Sequence, residues 1–453
     1  MRRDKAITIV VIVLVALALR IFMLGAKSLW LDEVFSVTQA SQSGVAIAAD
    51  QYEAHPPGYY LFLHEWLGID QSEFWVRLPS ALLGTLTMLV VYRLGRLRSE
   101  RIGLIAAGLL AIDPMHIWYS QEARMYAALT CFAAISVYFA IRLLRRAMWI
   151  DCLGYALAMM LTIYFDYIGI ALWIAAFIVI TIGAAWRRAW TRAKLLMWLS
   201  AQAIVALSLL LLWPNLQRTL PLYLQGGALR TLIDKTLESI PITIVIGGLV
   251  AGAIGLGVIV ALGVQAARRR KSRAFITTVI KLAIVIGYAL WLIGGSLPRL
   301  YTIKRLIVVF APYLILAVAC VFDSILNVPG RAKRASIYAL IVLAIGGTIL
   351  NISVWPKEDW RGVAAMVAQE SIAGDTIINS PSWNRLPFGY YYQMHPGAQG
   401  RMVESADDTR RVWLVIGESF DVYMTDPMRQ QLEQSRVVID RRQFDQIEVV
   451  LLK

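Results

Sequence analysis

The chain has 453 residues, 58% of them hydrophobic and 16% charged, with a mean hydropathy of +0.62. A soluble globular chain is about 45–50% apolar, and here the excess is gathered into runs of roughly 17–25 apolar residues, the length that crosses a hydrocarbon core, so composition excludes an ordinary soluble domain and predicts a polytopic membrane protein. The net charge of +14 falls largely in short loops between these runs, where orientation in the membrane accounts for it and nucleic-acid binding is not called for.

From the N-terminus, MRRDK precedes about twenty apolar residues. The stretch is longer than a signal-peptide core and no small-x-small cleavage site follows, so it reads as a retained first helix. The expected spans are 6–25, 78–95, 102–114, 123–141, 150–165, 167–186, 195–213, 240–264, 274–295, 305–322 and 336–355. Residues 1 to 355 lack the polar–apolar alternation of an outer-membrane barrel. Basic residues cluster in alternate loops: Arg2, Arg3 and Lys5; Arg93, Arg96, Arg98 and Arg101; Arg142, Arg145 and Arg146; Arg187, Arg188, Arg192 and Lys194; RRRKSR at 268–273; and Arg331, Lys333 and Arg334. The positive-inside rule puts these loops and the N-terminus in the cytoplasm, and an odd number of spans then puts the C-terminal region outside. Cys131, Cys152 and Cys320 lie in or beside apolar runs, so no disulfide framework is predicted for the polar tail.

Three outer segments are more than connectors. Residues 26–77 form a long loop containing the amphipathic PPGYYLFLHEWLG, 214–239 is punctuated by Pro and Gly, and the tail runs from Pro356 to Lys453. In the tail, 360–371 reads as a helix, GDTIINSP, FGYYYQ, RVWLVIGE and IEVVLLK as strands, and 425–435 as a helix. The predicted architecture is mainly α, with a membrane bundle over 1–355 and a small extracytoplasmic α/β domain over 356–453.

Chemistry-bearing residues gather in the outer segments. SLWLDEVFSV carries adjacent acids, Asp32 and Glu33. Either Asp32 caps a short helix with Glu33 in its first turn, or one acid serves as a general base among apolar rings. HPPGYYLFLHEW carries His55, Tyr59, Tyr60, His64 and Trp66. Its rings suit an interfacial helix, while His55, Tyr59 and Tyr60 are also counted as substrate contacts. DPMHIWYSQEARMY brings Asp113, His116, Tyr119, Gln121, Glu122 and Arg124 to the membrane rim. Ser120 capping the next helix, with Glu122 in its first turn, is the structural alternative there. Asp166 sits in a one- or two-residue hairpin, and GGSLPRLYTIKRL supplies Arg299, Lys304 and Arg305 on the side where cations are sparse. These three suit a phosphate clamp; snorkelling to the interface is the alternative. No HExxH, CxxC, P-loop or strand-following GxGxxG occurs, which argues against a dedicated zinc site and against ATP-driven transport.

Taken together, SLWLDEVFSV, HPPGYYLFLHEW, RLPSALLGTLTMLVVYRLGR, HIWYSQEARMYAALT and KEDWRGVAAMVAQE resemble the GT-C class of integral-membrane glycosyltransferases, in the branch of the protein O-mannosyltransferases and the aminoarabinose-to-lipid-A transferase. The likeness is dense over 25–145 and returns near 295–365. It implies a sugar donor on a polyprenyl phosphate, a lipid, glycan or protein acceptor, and transfer on the outer face of the cell (inner or plasma) membrane. It also implies an acid of the first outer loop at the reaction centre, matching Asp32 with Glu33 beside it, and a second acid matching Glu122. Cations engage the lipid phosphate, pointing to Arg299, Lys304 or Arg305, with Arg124 beside Glu122. His55, Tyr59, Tyr60, His116, Tyr119, Gln121 and Asp166 fall to substrate binding. One departure is FDYIG, where many relatives carry the His of a THY-type motif, at Asp166. The donor is the co-substrate; a divalent cation, if used, falls to Asp32 and Glu122. An inverting single displacement needs a base, relief of charge on the leaving phosphate and a groove for the lipid. A transporter or lipid flippase is the alternative; it calls for acids and broken helices at mid-membrane, whereas these acids gather at the outer rim.

Overall fold

The computed structural model describes residues 2–49, 55–225, 272–295, 307–326, 331–353, 358–404, 411–417 and 427–453. The membrane part is built of α1 (Arg2–Ile21), α5 (Glu73–Arg96), α6 (Glu100–Ala111), α8 (Tyr126–Arg146), α9 (Trp149–Phe165), α10 (Ile168–Trp186), α11 (Arg192–Gln225), α12 (Ser272–Gly295), α13 (Ala311–Leu326) and α14 (Arg331–Ser353). Shorter helices α2 (Leu31–Ala40), α3 (Gly44–Ala49), α4 (Gly58–Leu67) and α7 (Pro114–Tyr119) lie between them. Every predicted span falls on one of these helices except 240–264, which lies outside the described residues. Among the described residues five helices are long and apolar enough to cross a membrane. Large apolar side chains such as Leu14, Val179 and Leu211 face outward from α1, α10 and α11, as helices bathed in lipid require.

The helix starts follow from local chemistry. Ser72 and Ser99 accept hydrogen bonds from the backbone N–H groups of Trp75 and Ile102, and Asp113 accepts from His116 with Pro114 behind it, so the orphan donors of each first turn are satisfied. The α5–α6 hairpin closes through Gly95 and Gly103; a Cβ on Gly95 would stand 2.6 Å from the Gly103 Cα. One expectation is corrected at α11, which carries on to Gln225 through Pro214 and Pro221 where a Pro-punctuated connector is predicted. Each proline removes one hydrogen bond, and the helix is continuous across both.

The tail forms a sheet of five strands, β1 (Thr376–Ser380), β2 (Arg401–Met402), β3 (Val412–Gly417), β4 (Val438–Phe444) and β5 (Ile447–Leu452), in the order β2-β1-β3-β5-β4. β1 runs parallel to β2 and β3, while β5 is antiparallel to β3 and β4. Helices α15 (Trp360–Glu370), α16 (Arg385–Tyr392) and α17 (Pro427–Ser435) complete it. FGYYYQ, predicted as a strand, is helical. Pro387 sits in the first turn of α16, where its missing N–H costs nothing, and Phe388, Tyr391 and Tyr392 recur at helical spacing on the buried side.

The predicted division between the two parts falls in the interval between α14 and α15. Across it, Trp360, Val363 and Val367 of α15, Phe388 and Tyr391 of α16, and Trp413 and Val415 of β3 share one apolar core with Leu29, Val34, Tyr59, Tyr60 and Tyr126. Ser28 Oγ donates to the Glu358 carbonyl at 2.6 Å and accepts from the Trp360 N–H at 3.1 Å. The Leu29 N–H donates to Tyr391 Oη at 2.7 Å. The sheet unit is therefore seated directly on the segment that leads into Asp32.

Candidate active site

The loop elements α2, α4 and α7 all lie at one end of the bundle, where α1, α6 and α9 finish and α5, α8 and α10 begin. α2 starts at Trp30, whose extended backbone makes it the N-cap, so Asp32 and Glu33 are the second and third helical residues and the predicted cap at Asp32 moves two residues back. That register sends the two carboxylates to different places.

Glu33 is fully buried. Its carboxylate takes Arg77 Nε on Oε1 at 2.7 Å and Arg77 Nη2 on Oε2 at 2.6 Å, a two-pronged pair. Oε1 also accepts from the Ala123 N–H at 2.9 Å, and Oε2 accepts from the Trp30 N–H at 3.3 Å. Arg77 spends its other donors on the carbonyls of Leu24, Lys27 and Ser28, so all five N–H groups of its fork are engaged. The pair ties the loop between α1 and α5, the start of α5 and the turn after α7 to one point. Removing one member of such a buried pair typically costs about 3–5 kcal/mol.

Asp32 stays partly exposed. Its carbonyl accepts from Ser36 Oγ at 2.9 Å and from Arg124 Nη1 at 3.4 Å. The buried Arg124 guanidinium is the hub of the site. Nη1 also reaches Ser36 Oγ at 3.1 Å and Tyr60 Oη at 3.5 Å, and Nη2 reaches His55 Nε2 at 3.3 Å. Arginine has no acceptor, so His55 Nε2 is the unprotonated nitrogen and the ring is neutral with its hydrogen on Nδ1. That Nδ1 stands 3.8 Å from Asp166 Oδ2. Burial pushes the Asp166 carboxyl up to about 6, against the pull of the Ile168 N–H and of Arg124.

Glu122 lies in the turn between α7 and α8, 1% exposed, with Oε1 accepting from Trp118 Nε1 at 2.7 Å. Ser120 closes the end of α7, and α8 begins after Met125 without a side-chain cap; the predicted Ser120 cap is thereby corrected. Tyr59 and Tyr60 are buried, where interfacial rings are the alternative expectation. Burial pushes the Tyr59 phenol up, opposed by Arg124 and reinforced by Glu33 and Glu122.

Asp32, Glu33, Arg124, His55, Tyr60 and Asp166 thus converge from segments more than a hundred residues apart, and Glu122 precedes Ala123, whose N–H donates to Glu33. Two predicted contacts point elsewhere. His116 Nδ1 accepts from Arg20 Nη2 at 2.9 Å, and burial together with the Arg20 charge holds its imidazole well below the usual range. Gln121 Nε2 donates to the carbonyls of Leu19, Arg20 and Phe22. Both fasten α7 to the end of α1. Tyr119 packs edge-on against Tyr126 with centroids 5.1 Å apart. Arg299, Lys304 and Arg305 lie outside the described residues. No group of three or more His, Cys, Asp and Glu is placed to hold a metal ion among the described residues. Arg77 and Arg20 were not singled out by the sequence reading. The available signals were a lone cation opening a span on the cation-poor side and a charge inside the first apolar run.

Residues 54–213 match the family model described as dolichyl-phosphate-mannose-protein mannosyltransferase. ArnT from Cupriavidus metallidurans, solved with undecaprenyl phosphate, superimposes with a TM-score of 0.53 at 14% identity, over 98% of this chain and 97% of that one. The chain has the GT-C glycosyltransferase fold. Two other GT-C structures are similar at lower TM-scores. The apo Archaeoglobus fulgidus oligosaccharyltransferase gives 0.48 at 13% identity, over 90% of this chain and 62% of that one. The Saccharomyces cerevisiae protein O-mannosyltransferase Pmt1–Pmt2 complex gives 0.40 at 18% identity, over 48% and 34%. No curated protein matches the chain. The family segment holds His55, Glu122, Arg124 and Asp166 and begins after Asp32; at these identities the likeness to the GT-C structures is one of fold.

Proposed function

We propose that the chain transfers a sugar from a polyprenyl-phosphate donor to an acceptor hydroxyl at the outer face of the membrane, by a single inverting displacement. Asp32, partly exposed beside Arg124, is the base that receives the acceptor proton. Arg124 faces the donor phosphate and relieves the charge that develops as it leaves, with Arg299, Lys304 and Arg305 as further candidates for the same task. Glu33, saturated by Arg77 and two backbone N–H groups, positions the Asp32 turn. Glu122 holds the other side of the site through Trp118.

The observation that carries this reading is the shared guanidinium. One buried cation, Arg124, binds the Asp32 turn, α4 and His55 at once. The ArnT structure similar to this chain holds undecaprenyl phosphate, which supports a polyprenyl phosphate as the lipid carrier. The test is transfer of radiolabelled sugar from a polyprenyl phosphate by the purified chain. Asp32→Asn is expected to keep donor binding and lose turnover by about 10²–10⁴-fold; near-normal turnover by this variant would reject the assignment.

A further inference from the structure

His55, Arg124 and Asp166 come from three separate segments and meet in a row, and the reading above leaves the imidazole without a task. Its side chain is 24% exposed, against 4% for Asp166, so the ring borders the open part of the site while the acid behind it is closed off. The Ile168 N–H donates to Asp166 Oδ1 at 2.9 Å, which leaves Oδ2 on the side of His55. Gly58, three residues beyond His55, packs on the backbone of Tyr164, where a Cβ would stand 2.3 Å from the carbonyl oxygen. Start of α4 and end of α9 are therefore locked together, and the His55–Asp166 distance is a fixed feature of the fold.

Resting on the reading of a polyprenyl-phosphate donor, we infer that His55, backed by Asp166, takes up the proton that glycosyl transfer releases and becomes a second cation facing the departing lipid phosphate. The charges balance. The donor is a phosphodiester with one negative charge, and the product is a phosphomonoester with two once fully ionised. The acceptor O–H bond breaks and its oxygen bonds to the anomeric carbon. The anomeric C–O bond to phosphate breaks, and its electron pair stays on the phosphate oxygen. The proton passes to Asp32 and comes to rest on His55 Nε2, offsetting the new charge.

In the resting site Nε2 is occupied by Arg124 Nη2, and a fixed cation at that distance disfavours an imidazolium. A phosphate that draws the guanidinium to itself uncovers Nε2 and replaces a neighbouring cation with an anion, so both changes favour proton uptake. The charged groups facing His55 include Arg124 from the turn before α8 and Asp166 from the turn before α10; Tyr60 reaches the same guanidinium from α4. The Asp166 carboxyl, at about 6, is ionised above neutrality and able to hold the imidazolium.

Proton uptake is read by calorimetric titration of farnesyl phosphate into the full chain near pH 8, where a phosphomonoester is already a dianion, in HEPES and in Tris. The unaltered chain is expected to take up about one proton per lipid phosphate, His55→Gln close to none, and Asp166→Asn less than half as much as the unaltered chain. Equal uptake by His55→Gln, or binding by the unaltered chain without uptake, overturns the inference. Should His55→Gln not bind, Asp166→Asn decides, and undiminished uptake there overturns it. Failure of the unaltered chain to bind farnesyl phosphate overturns the donor reading itself, and this inference with it.

Discussion

At the residue scale, Glu33 accepts four hydrogen bonds in a closed pocket, whereas Asp32, one position earlier, stands partly open beside the Arg124 hub. The two acids should therefore fail differently. Glu33→Ala is expected to lower stability by about 3–5 kcal/mol, because it leaves Arg77 charged and unpaired. Asp32→Asn should leave the unfolding curve within about 0.5 kcal/mol of the unaltered chain while turnover is lost. Parallel denaturation and transfer assays check both, and equal destabilisation by the two variants would contradict the division of roles. The acid pair was legible in the sequence as two adjacent carboxylates after the first apolar run. Which of them is buried and which stays partly open was not, because that depends on Arg77, 44 positions further on, and on a helix register set by Trp30. His116 shows the converse: its neighbourhood in the sequence is the site's, but Arg20 from α1 claims its ring.

At the scale of elements, the site exists because short helices are held against the ends of long ones. α4 is held at both ends. At its start Gly58 touches the α9 backbone. In its last turn Trp66 stacks on Trp75 of α5 at 4.6 Å, and each indole N–H donates to the other's carbonyl. Gly58→Ala is expected to push α4 from α9, cost about 1–3 kcal/mol and reduce sugar transfer, as the spacing of His55 and Asp166 changes. Gly108→Ala, within α6 and with open space around it, is the control, expected to be neutral or to stabilise by up to about 1 kcal/mol. Thermal unfolding in detergent separates the two; matching curves would show that the close approach at Gly58 is unimportant. The long helices were legible because apolar length is a one-dimensional property. FGYYYQ was not, since three tyrosines in a row carry β-propensity, and only the preceding 3₁₀ turn with Pro387 sets the chain in a helix.

For the molecule as a whole, the sheet unit and the loop between α1 and α5 share one core, and Glu358 lies at their junction. It is 6% exposed, with Trp360 Nε1 donating to Oε2 at 2.7 Å. Burial pushes its carboxyl up to about 7 from an ordinary value of 4.5, only partly opposed by Trp360. Between those values the native chain holds the proton that the unfolded chain has lost, so this group's contribution is full below 4.5 and declines as pH rises through 7. A loss on the order of 3 kcal/mol between pH 4.5 and 8 follows, and Glu358→Gln is expected to flatten it and raise stability at pH 8. Unfolding curves across that range check this; an unchanged slope in the variant would remove Glu358 as its source. The presence of a terminal α/β unit was legible from its apolar strands, but its seating was not, because Ser28–Glu358 and Leu29–Tyr391 join positions more than three hundred residues apart. The central claim is that these distant segments make one transferase site around Arg124 and Asp32. Its most direct test is sugar transfer in proteoliposomes supplied with a radiolabelled polyprenyl-phosphate sugar on the outer face: labelled acceptor should form with the unaltered chain and not with Asp32→Asn, and equal labelling by both would contradict the account.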